Sequence, residues 1–134
     1  MTGVVFVDTS GLYALMDRSD ENHVKARQTW GSVAAENYLV TNNYVLVEST
    51  ALIQRRLGVA ALRSLVQDFL PLIEVEWVTE GQHEAAVEAL LAAGRKKLSL
   101  VDCVSFQTMR ATGVRRVFGF DVHFREQGFE VVGR

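Results

Sequence analysis

Blocks of apolar residues alternate along this chain with polar breaks, and their spacing predicts strands and helices in turn. The first block, residues 4–7, is an unbroken run of β-branched and aromatic side chains, which is typical of a strand buried on both faces in the middle of a parallel sheet. Thr9 and Ser10 then supply helix-start chemistry, and a helix is predicted from Gly11 onwards. Residues 72–78 instead alternate apolar and acidic side chains, which indicates an edge strand with one face in water.

Capping residues and helix breakers mark the other boundaries. Gly58, Gly94 and Gly113 each follow a helical pattern, and Pro71, the only proline, ends another. Further strands are predicted at 37–41, 116–120 and 129–132, and helices at about 23–35, 44–57, 60–70, 79–93 and 100–112, with a one-turn helix or loop at 122–127. Strands that alternate with helices predict the α/β fold class, as one domain over residues 1–134 with a parallel sheet and helices on both faces.

Composition narrows the class of protein. A net charge of -2 with 22% charged residues excludes a disordered polyelectrolyte and gives no bulk electrostatic case for nucleic-acid binding, although a local basic patch would still hold phosphates. The single cysteine, Cys103, excludes an intramolecular disulfide. Neither a signal-peptide pattern nor a membrane-spanning run is recognisable, so we expect a cytoplasmic protein without membrane association.

Two carboxylates follow predicted strands. Asp8 ends the first strand, and Asp121 follows the strand at 116–120. Because ligands bind in open α/β sheets outside the carboxyl ends of the strands, the two acids would face each other if their strands are neighbours. The alternative for Asp8 is that it only caps the following helix.

Two further acids lie in the early turns of predicted helices. Glu48 stands in the almost entirely apolar stretch 44–53, where an unpaired carboxylate costs several kcal/mol unless a cation compensates it. Pairing with Arg55 or Arg56 is the alternative, but both lie two turns away, about 11 Å along the helix axis. Asp102 also has an alternative role, since its spacing from Ser99 is that of a capping box.

The four acids together predict a metal site. Like charges at one sheet edge repel each other unless a multivalent cation lies between them. Oxygen ligands favour Mg²⁺ or Mn²⁺. Zinc is disfavoured, because the three histidines, His123 among them, have no partner at metal-ligand spacing and Cys103 stands alone.

A hard-metal site without a glycine-rich nucleotide loop favours hydrolysis of phosphate esters. Basic residues near this edge are candidates for holding a substrate backbone, with a solvated loop as the alternative; they are Arg95, Lys96, Lys97 and Arg125. A phosphatase of the haloacid dehalogenase type is less well matched, because Ser10 stands two positions after Asp8, where such enzymes carry a second aspartate. A module that binds RNA or a protein partner without cleavage is the non-enzymatic alternative.

An ordered set of motifs resembles the PIN-domain family, and most closely the VapC-type toxins of toxin-antitoxin pairs. The set comprises Val-Asp-Thr-Ser at 7–10, Glu48 in the helix after Thr-Asn-Asn at 41–43, Leu-Val-Asp at 100–102, and Phe-Gly-Phe-Asp-Val-His-Phe at 118–124. The resemblance implies a five-stranded parallel sheet in the order 3-2-1-4-5 and endoribonuclease activity dependent on Mg²⁺ or Mn²⁺. It also implies an RNA substrate, a homodimer and a small VapB-like antitoxin that covers the active site.

The same resemblance assigns roles to residues. Asp8, Glu48, Asp102 and Asp121 would be the metal-binding and catalytic acids, and Ser10 would support Asp8 through its hydroxyl group. Some relatives carry a further acid or amide just after the fourth acid, whereas Val122, His123 and Phe124 stand there in this chain, so the number of metals stays open. A stand-alone PIN nuclease of RNA processing is the alternative to a toxin.

Overall fold

Five parallel strands form the sheet in this computed structural model, which describes residues 3–133. The strands are β1 (Gly3–Val7), β2 (Asn37–Asn42), β3 (Ile73–Glu76), β4 (Arg116–Phe118) and β5 (Glu130–Val131). Their order is β3-β2-β1-β4-β5, and every neighbouring pair is parallel. The predicted fold class and strand order are therefore confirmed, and β3 lies at an edge as its alternating pattern indicated.

Seven α-helices connect the strands within the described residues. They are α1 (Thr9–Met16), α2 (His23–Glu36), α3 (Asn43–Leu57), α4 (Val59–Ser64), α5 (Glu80–Ala93), α6 (Leu100–Thr112) and α7 (Val122–Glu126). None of the helices between residues 3 and 133 combines the length and the apolar composition needed to cross a membrane.

The prediction of one continuous helix over residues 60–70 is wrong in its second half. The α-helix ends at Ser64, Leu65–Phe69 forms a wider π-helical turn, and Leu70–Leu72 forms a 3₁₀ turn. Pro71 accounts for the change, because its ring has no amide hydrogen to donate and clashes with the carbonyl one turn earlier.

The core is built on both faces of β1. Val5, Phe6 and Val7 have no exposed surface. Since successive side chains of a strand point to opposite faces, helices must cover both sides of the sheet here. Gly11 of α1 lies so close to β4 that a Cβ atom there would meet the Phe118 ring at 2.5 Å, so the start of α1 packs tightly against the neighbouring strand.

The carboxyl ends of β1 and β4 meet directly. Val7 is in register with Phe118, and the amide of Asp8 donates to the Phe118 carbonyl oxygen at 3.0 Å. The strand at 116–120 is shorter than predicted, because β4 ends at Phe118. A Cβ atom on Gly119 would lie 2.9 Å from the Ser10 hydroxyl oxygen, so the chain turns here, close to β1, before it reaches Asp121.

Candidate active site

Three of the four predicted acids also bind the first turn of a helix. Asp8 caps α1 by accepting from the amide of Ser10 at 3.1 Å, and Asp121 caps α7 by accepting from the amide of His123 at 2.9 Å. Asp102 forms a capping box with Ser99, with both hydrogen bonds at 3.0 Å. The capping roles that the sequence offered as alternatives for Asp8 and Asp102 are real, and Asp121 has one as well. Each cap fixes the position of its carboxyl group rather than excluding it from the site.

The four acids line one open cleft of about 490 Å³ at the carboxyl edge of the sheet. The other charged and hydroxyl side chains of this acidic cleft come from α1, α3 and the segment before α6; they are Thr9, Ser10, Arg55, Lys97 and Ser99. The structure thus brings together every acid that the sequence singled out, and it adds Arg55.

Asp8 is the most strongly perturbed of these acids. Its side chain is almost fully buried, and this burial raises its pKa to about 7 against an ordinary value of 3.8. Two hydrogen bonds from Ser10 oppose the rise, while the charges of Asp102 and Glu48 add to it. Asp8 therefore lies where an uncompensated negative charge is unfavourable.

Asp102 and Asp121 come together in the cleft with a third donor. The Nδ1 atom of His123 lies 2.7 Å from Oδ1 of Asp121 and 3.6 Å from Oδ2 of Asp102. The ring is not oriented to hydrogen-bond either oxygen, and Nδ1 is buried without a hydrogen-bond partner within residues 3–133. Burial raises the pKa of Asp102, the charge of Asp121 adds to that rise, and His123 opposes it.

This arrangement fits a divalent cation. One donor atom from each of Asp102, Asp121 and His123 lies within 4.8 Å of the other two. Asp8 and Glu48 line the same cleft, but their oxygens lie outside this closest group. A cation between the carboxylates would compensate the repulsion and burial that raise the pKa values of Asp8 and Asp102.

The sequence offers no histidine a partner at metal-ligand spacing, but in the folded protein His123 lies at ligand distance from two carboxylates. The residue stands two positions after Asp121, and the first turn of α7 brings its ring back toward the carboxylate that caps the same turn. An Asp-x-His sequence at a predicted helix start was the available signal. The spacing alone does not place the His123 ring beside Asp121, because the pattern at 122–127 fits a loop as well as a helical turn.

Glu48 has no ion-pair partner within the described part of the chain. It is half-buried on the cleft side of α3. Arg55 lines the same cleft without pairing with it, and the Arg56 guanidinium lies over the Tyr13 ring, 5.6 Å from its centre. The intrahelical ion pair that would have explained Glu48 structurally does not form.

The four predicted basic residues do not act as one group. Lys97 lines the acidic cleft, while Lys96 is exposed and does not line it. Arg95 is bound to Glu126 by an ion pair of 2.9 Å, and Arg125 lines a separate, adjoining cleft. The contribution of these residues to substrate binding stays a prediction. It is best supported for Lys97, because Lys97 lies in the same cleft as the four acids.

Three aromatic residues near this edge of the sheet, and His23 of α2, make structural contacts within the protein. The Tyr13 hydroxyl donates to Asp17 at 2.7 Å, and the Tyr44 hydroxyl is hydrogen-bonded to a histidine of α5. Phe124 has no exposed surface. His23 places Nδ1 2.7 Å from a carbonyl oxygen of α1, which agrees with a packing role.

Comparison with known proteins shows the family to which this chain belongs. Residues 5–130 match the family model of the PIN domain. The chain is 35% identical over 127 residues to the 23S rRNA-specific endonuclease VapC20 of Mycobacterium tuberculosis, in the strains CDC 1551 and H37Rv, and the match covers 94% of this chain and 95% of VapC20.

The crystal structure of VapC20, described as a sarcin-ricin loop cleaving toxin, superposes on this structure with a TM-score of 0.82. The two sequences are 33% identical in that alignment, which covers 93% of this chain and 95% of the other. This chain therefore belongs to the PIN-domain family of metal-dependent nucleases and is a homologue of its VapC toxins.

Proposed function

We propose that this chain is a toxin endoribonuclease that uses Mg²⁺ or Mn²⁺ to cleave 23S rRNA in its sarcin-ricin loop. The observation that carries the proposal is the convergence of Asp8, Glu48, Asp102 and Asp121 on one open cleft. The likeness to VapC20 over nearly the whole length of both chains supports ribosomal RNA as the substrate.

The four acids would hold the divalent cation. Carboxylate oxygens at a rigid sheet edge suit Mg²⁺ or Mn²⁺, and the three donors that include His123 are the closest group. When bound, the cation supplies the acidification of water and the charge neutralisation that hydrolysis of a phosphodiester requires.

The protein side chains contribute positioning and charge. Both hydrogen bonds from Ser10 go to Oδ2 of Asp8, which fixes that carboxyl group, while Oδ1 has no hydrogen bond from residues 3–133. Glu48, which has no ion-pair partner within residues 3–133, would orient the attacking water and accept its proton. Arg55 and Lys97 would hold the phosphate oxygens of the bound strand.

The partners of this proposed toxin follow from its class. A VapB-like antitoxin would cover the acidic cleft, and the toxin would act in the cytoplasm as a homodimer. Size-exclusion chromatography with light scattering tests the dimer. Co-expression of this chain with the small protein encoded beside it, followed by co-purification, tests the antitoxin.

Cleavage itself is tested with purified protein and a 23S rRNA fragment that contains the sarcin-ricin loop. We expect one cut site, mapped by primer extension, that needs added Mg²⁺ or Mn²⁺ and disappears with EDTA. Asp8→Asn should abolish the cut while the circular dichroism spectrum stays unchanged. Full activity of this folded variant would overturn the assignment of Asp8.

A toxin and a housekeeping nuclease have different effects on cell growth when they are expressed. Induction of the wild-type chain should arrest growth, and co-expression of the neighbouring antitoxin should relieve the arrest. Asp8→Asn should permit normal growth at the same expression level. Cleavage in vitro without growth arrest would favour a nuclease of RNA processing instead.

A further inference from the structure

A second cleft adjoins the acidic cleft at Asp121. Its volume is about 280 Å³, and Asp121 lines both clefts. We call it the Lys25–Arg125 cleft. Apart from Asp121, its lining residues come from α2, the turn after β4, α7 and the end of the described chain; they are Lys25, Gly119, Phe120, Val122 and Arg125, with residues 131–133. A ligand that runs past Asp121 can therefore extend from one cleft into the other.

The charges of this second cleft suit a polyanion. Lys25 and Arg125 are both exposed, and neither has a carboxylate within 4.0 Å among residues 3–133. Arg95, in contrast, is held by Glu126 at 2.9 Å. Two cations without carboxylate partners thus lie on one side of Asp121.

The acidic cleft has a matching pair of cations. Arg55 and Lys97 line it, and neither is in an ion pair within the described residues. Positive side chains without ion-pair partners among the described residues therefore lie in both of the clefts that meet at Asp121. An enzyme that cuts inside a strand needs contacts on both sides of the cleaved bond, because the strand continues in both directions.

We propose that the Lys25–Arg125 cleft binds the RNA nucleotide adjacent to the cleaved phosphodiester. Lys25 and Arg125 hold its phosphate, and Val122, an apolar side chain that is 60% exposed at the rim, lies against its sugar or base. This inference rests on the proposed ribonuclease function, and it adds a binding site for the strand on one defined side of the acids.

RNA binding is measured first, in the Asp8→Asn background so that the strand stays intact. Lys25→Gln and Arg125→Gln should each weaken binding about fivefold and reduce the slope of log affinity against log salt by about 0.7. Arg27→Gln is the matched control, because Arg27 is an exposed cation of the same helix that lines neither cleft. Its affinity and salt slope should equal those of the background protein.

A length series distinguishes a nucleotide subsite from general attraction. Oligonucleotides are shortened by one nucleotide on either side of the cut site. The background protein should lose affinity on both sides, whereas Lys25→Gln should become insensitive to shortening on one side only. In the cleaving enzyme the same substitution should raise KM and leave kcat unchanged.

Two results would contradict binding of RNA in the Lys25–Arg125 cleft. Equal affinity, salt slope and length response of Lys25→Gln and Arg27→Gln would overturn it. Loss of antitoxin binding with RNA binding intact would assign the cleft to the antitoxin and also overturn it. If the wild-type chain cuts no RNA but Lys25→Gln and Arg125→Gln still bind RNA more weakly than Arg27→Gln, the proposed nuclease function fails and the cleft remains an RNA-binding site.

Discussion

The Ser10 hydroxyl donates a 2.6 Å hydrogen bond to Oδ2 of Asp8. The Oγ atom of Ser10 in turn accepts a 2.8 Å hydrogen bond from the amide of Phe120, the residue before Asp121. One side chain thus connects the start of α1 to the loop that carries the acid on the neighbouring strand. The Ser10 hydroxyl therefore holds Asp8 and Asp121 in position relative to each other.

Replacement of Ser10 by alanine removes both hydrogen bonds. We expect Ser10→Ala to lower the free energy of unfolding by about 1–3 kcal/mol, because the Phe120 amide loses its partner in a part-buried position. Catalytic activity should fall about 10- to 100-fold, as is typical when a group that orients a metal ligand is lost. Urea denaturation and single-turnover cleavage measure the two effects.

Ser32→Ala is the matched control for this change. Ser32 is an exposed serine of α2 whose hydroxyl donates only to a carbonyl oxygen of its own helix, at 3.2 Å. The substitution should leave cleavage unchanged. If Ser10→Ala loses stability but retains full cleavage, the hydroxyl supports the fold and not the geometry of the acids.

Glu48 provides the second prediction. We expect Glu48→Gln to lower activity at least 100-fold while the protein keeps its stability, because no ion pair within residues 3–133 is lost. The pKa of Asp8 should fall, since the Glu48 charge is one of the causes that raise it. Carbon-13 NMR titration of the aspartate carboxyl groups measures this shift.

The control for Glu48 is Glu74→Gln, at an exposed position of β3 that lines neither the acidic cleft nor the Lys25–Arg125 cleft. This variant should match the wild type in cleavage and in the titration of Asp8. A normal cleavage rate for Glu48→Gln would show that its carboxylate is not required.

His123 gives a prediction about the cofactor. Its Nδ1 atom belongs to the closest group of donors in the cleft, and imidazole suits Mn²⁺ better than Mg²⁺. We expect His123→Gln to weaken Mn²⁺ binding about tenfold and to change Mg²⁺ binding less. Isothermal titration calorimetry with each metal alone measures the difference. His23→Gln is the control, and equal losses for both metals in His123→Gln would contradict a role for the nitrogen.

Much of the fold and the site follows from the sequence for identifiable reasons. The apolar run before Asp8 marks a strand buried on both faces, and parallel strands place their carboxyl ends at one edge. Glu48 was informative because an apolar helix offered it no partner, and none is present in the described residues. The strand order came from the family resemblance, since the pattern of elements alone does not specify it.

The remaining features depend on contacts between distant segments. Gly119 approaches Ser10 and Asp8, so β4 ends two residues before its apolar run does. Arg55 lies in the acidic cleft because α3 packs beside α1, which no local pattern reveals. The second cleft joins α2 to α7, which are about 100 residues apart in the chain, and hence Lys25 was not a candidate.

Asp8 makes the stability of the metal-free protein depend on pH. Its folded pKa of about 7 is above the ordinary 3.8, because the side chain is buried. Between these pH values the folded protein holds a proton that the unfolded chain has released. The contribution of Asp8 to the free energy of unfolding is therefore greatest below pH 4. It falls as the pH rises to about 7, by at most about 4 kcal/mol.

Asp8→Asn removes this dependence, because its side chain is neutral at every pH. In EDTA at pH 8 we expect Asp8→Asn to have a higher melting temperature than the wild type, and at pH 4 the two should agree. Asp17→Asn is an informative control of opposite sign, since the hydrogen bond from Tyr13 lowers the pKa of Asp17 and its charge is stabilising at neutral pH. Added Mn²⁺ should raise the melting temperature of the wild type at pH 8 more than that of Asp8→Asn, because only the wild type has a buried carboxylate charge at this position for the cation to compensate. If Asp8→Asn melts below the wild type in EDTA at pH 8, the carboxylate of Asp8 is stabilised by contacts with the protein, and the repulsion that favours a cation in this cleft is absent.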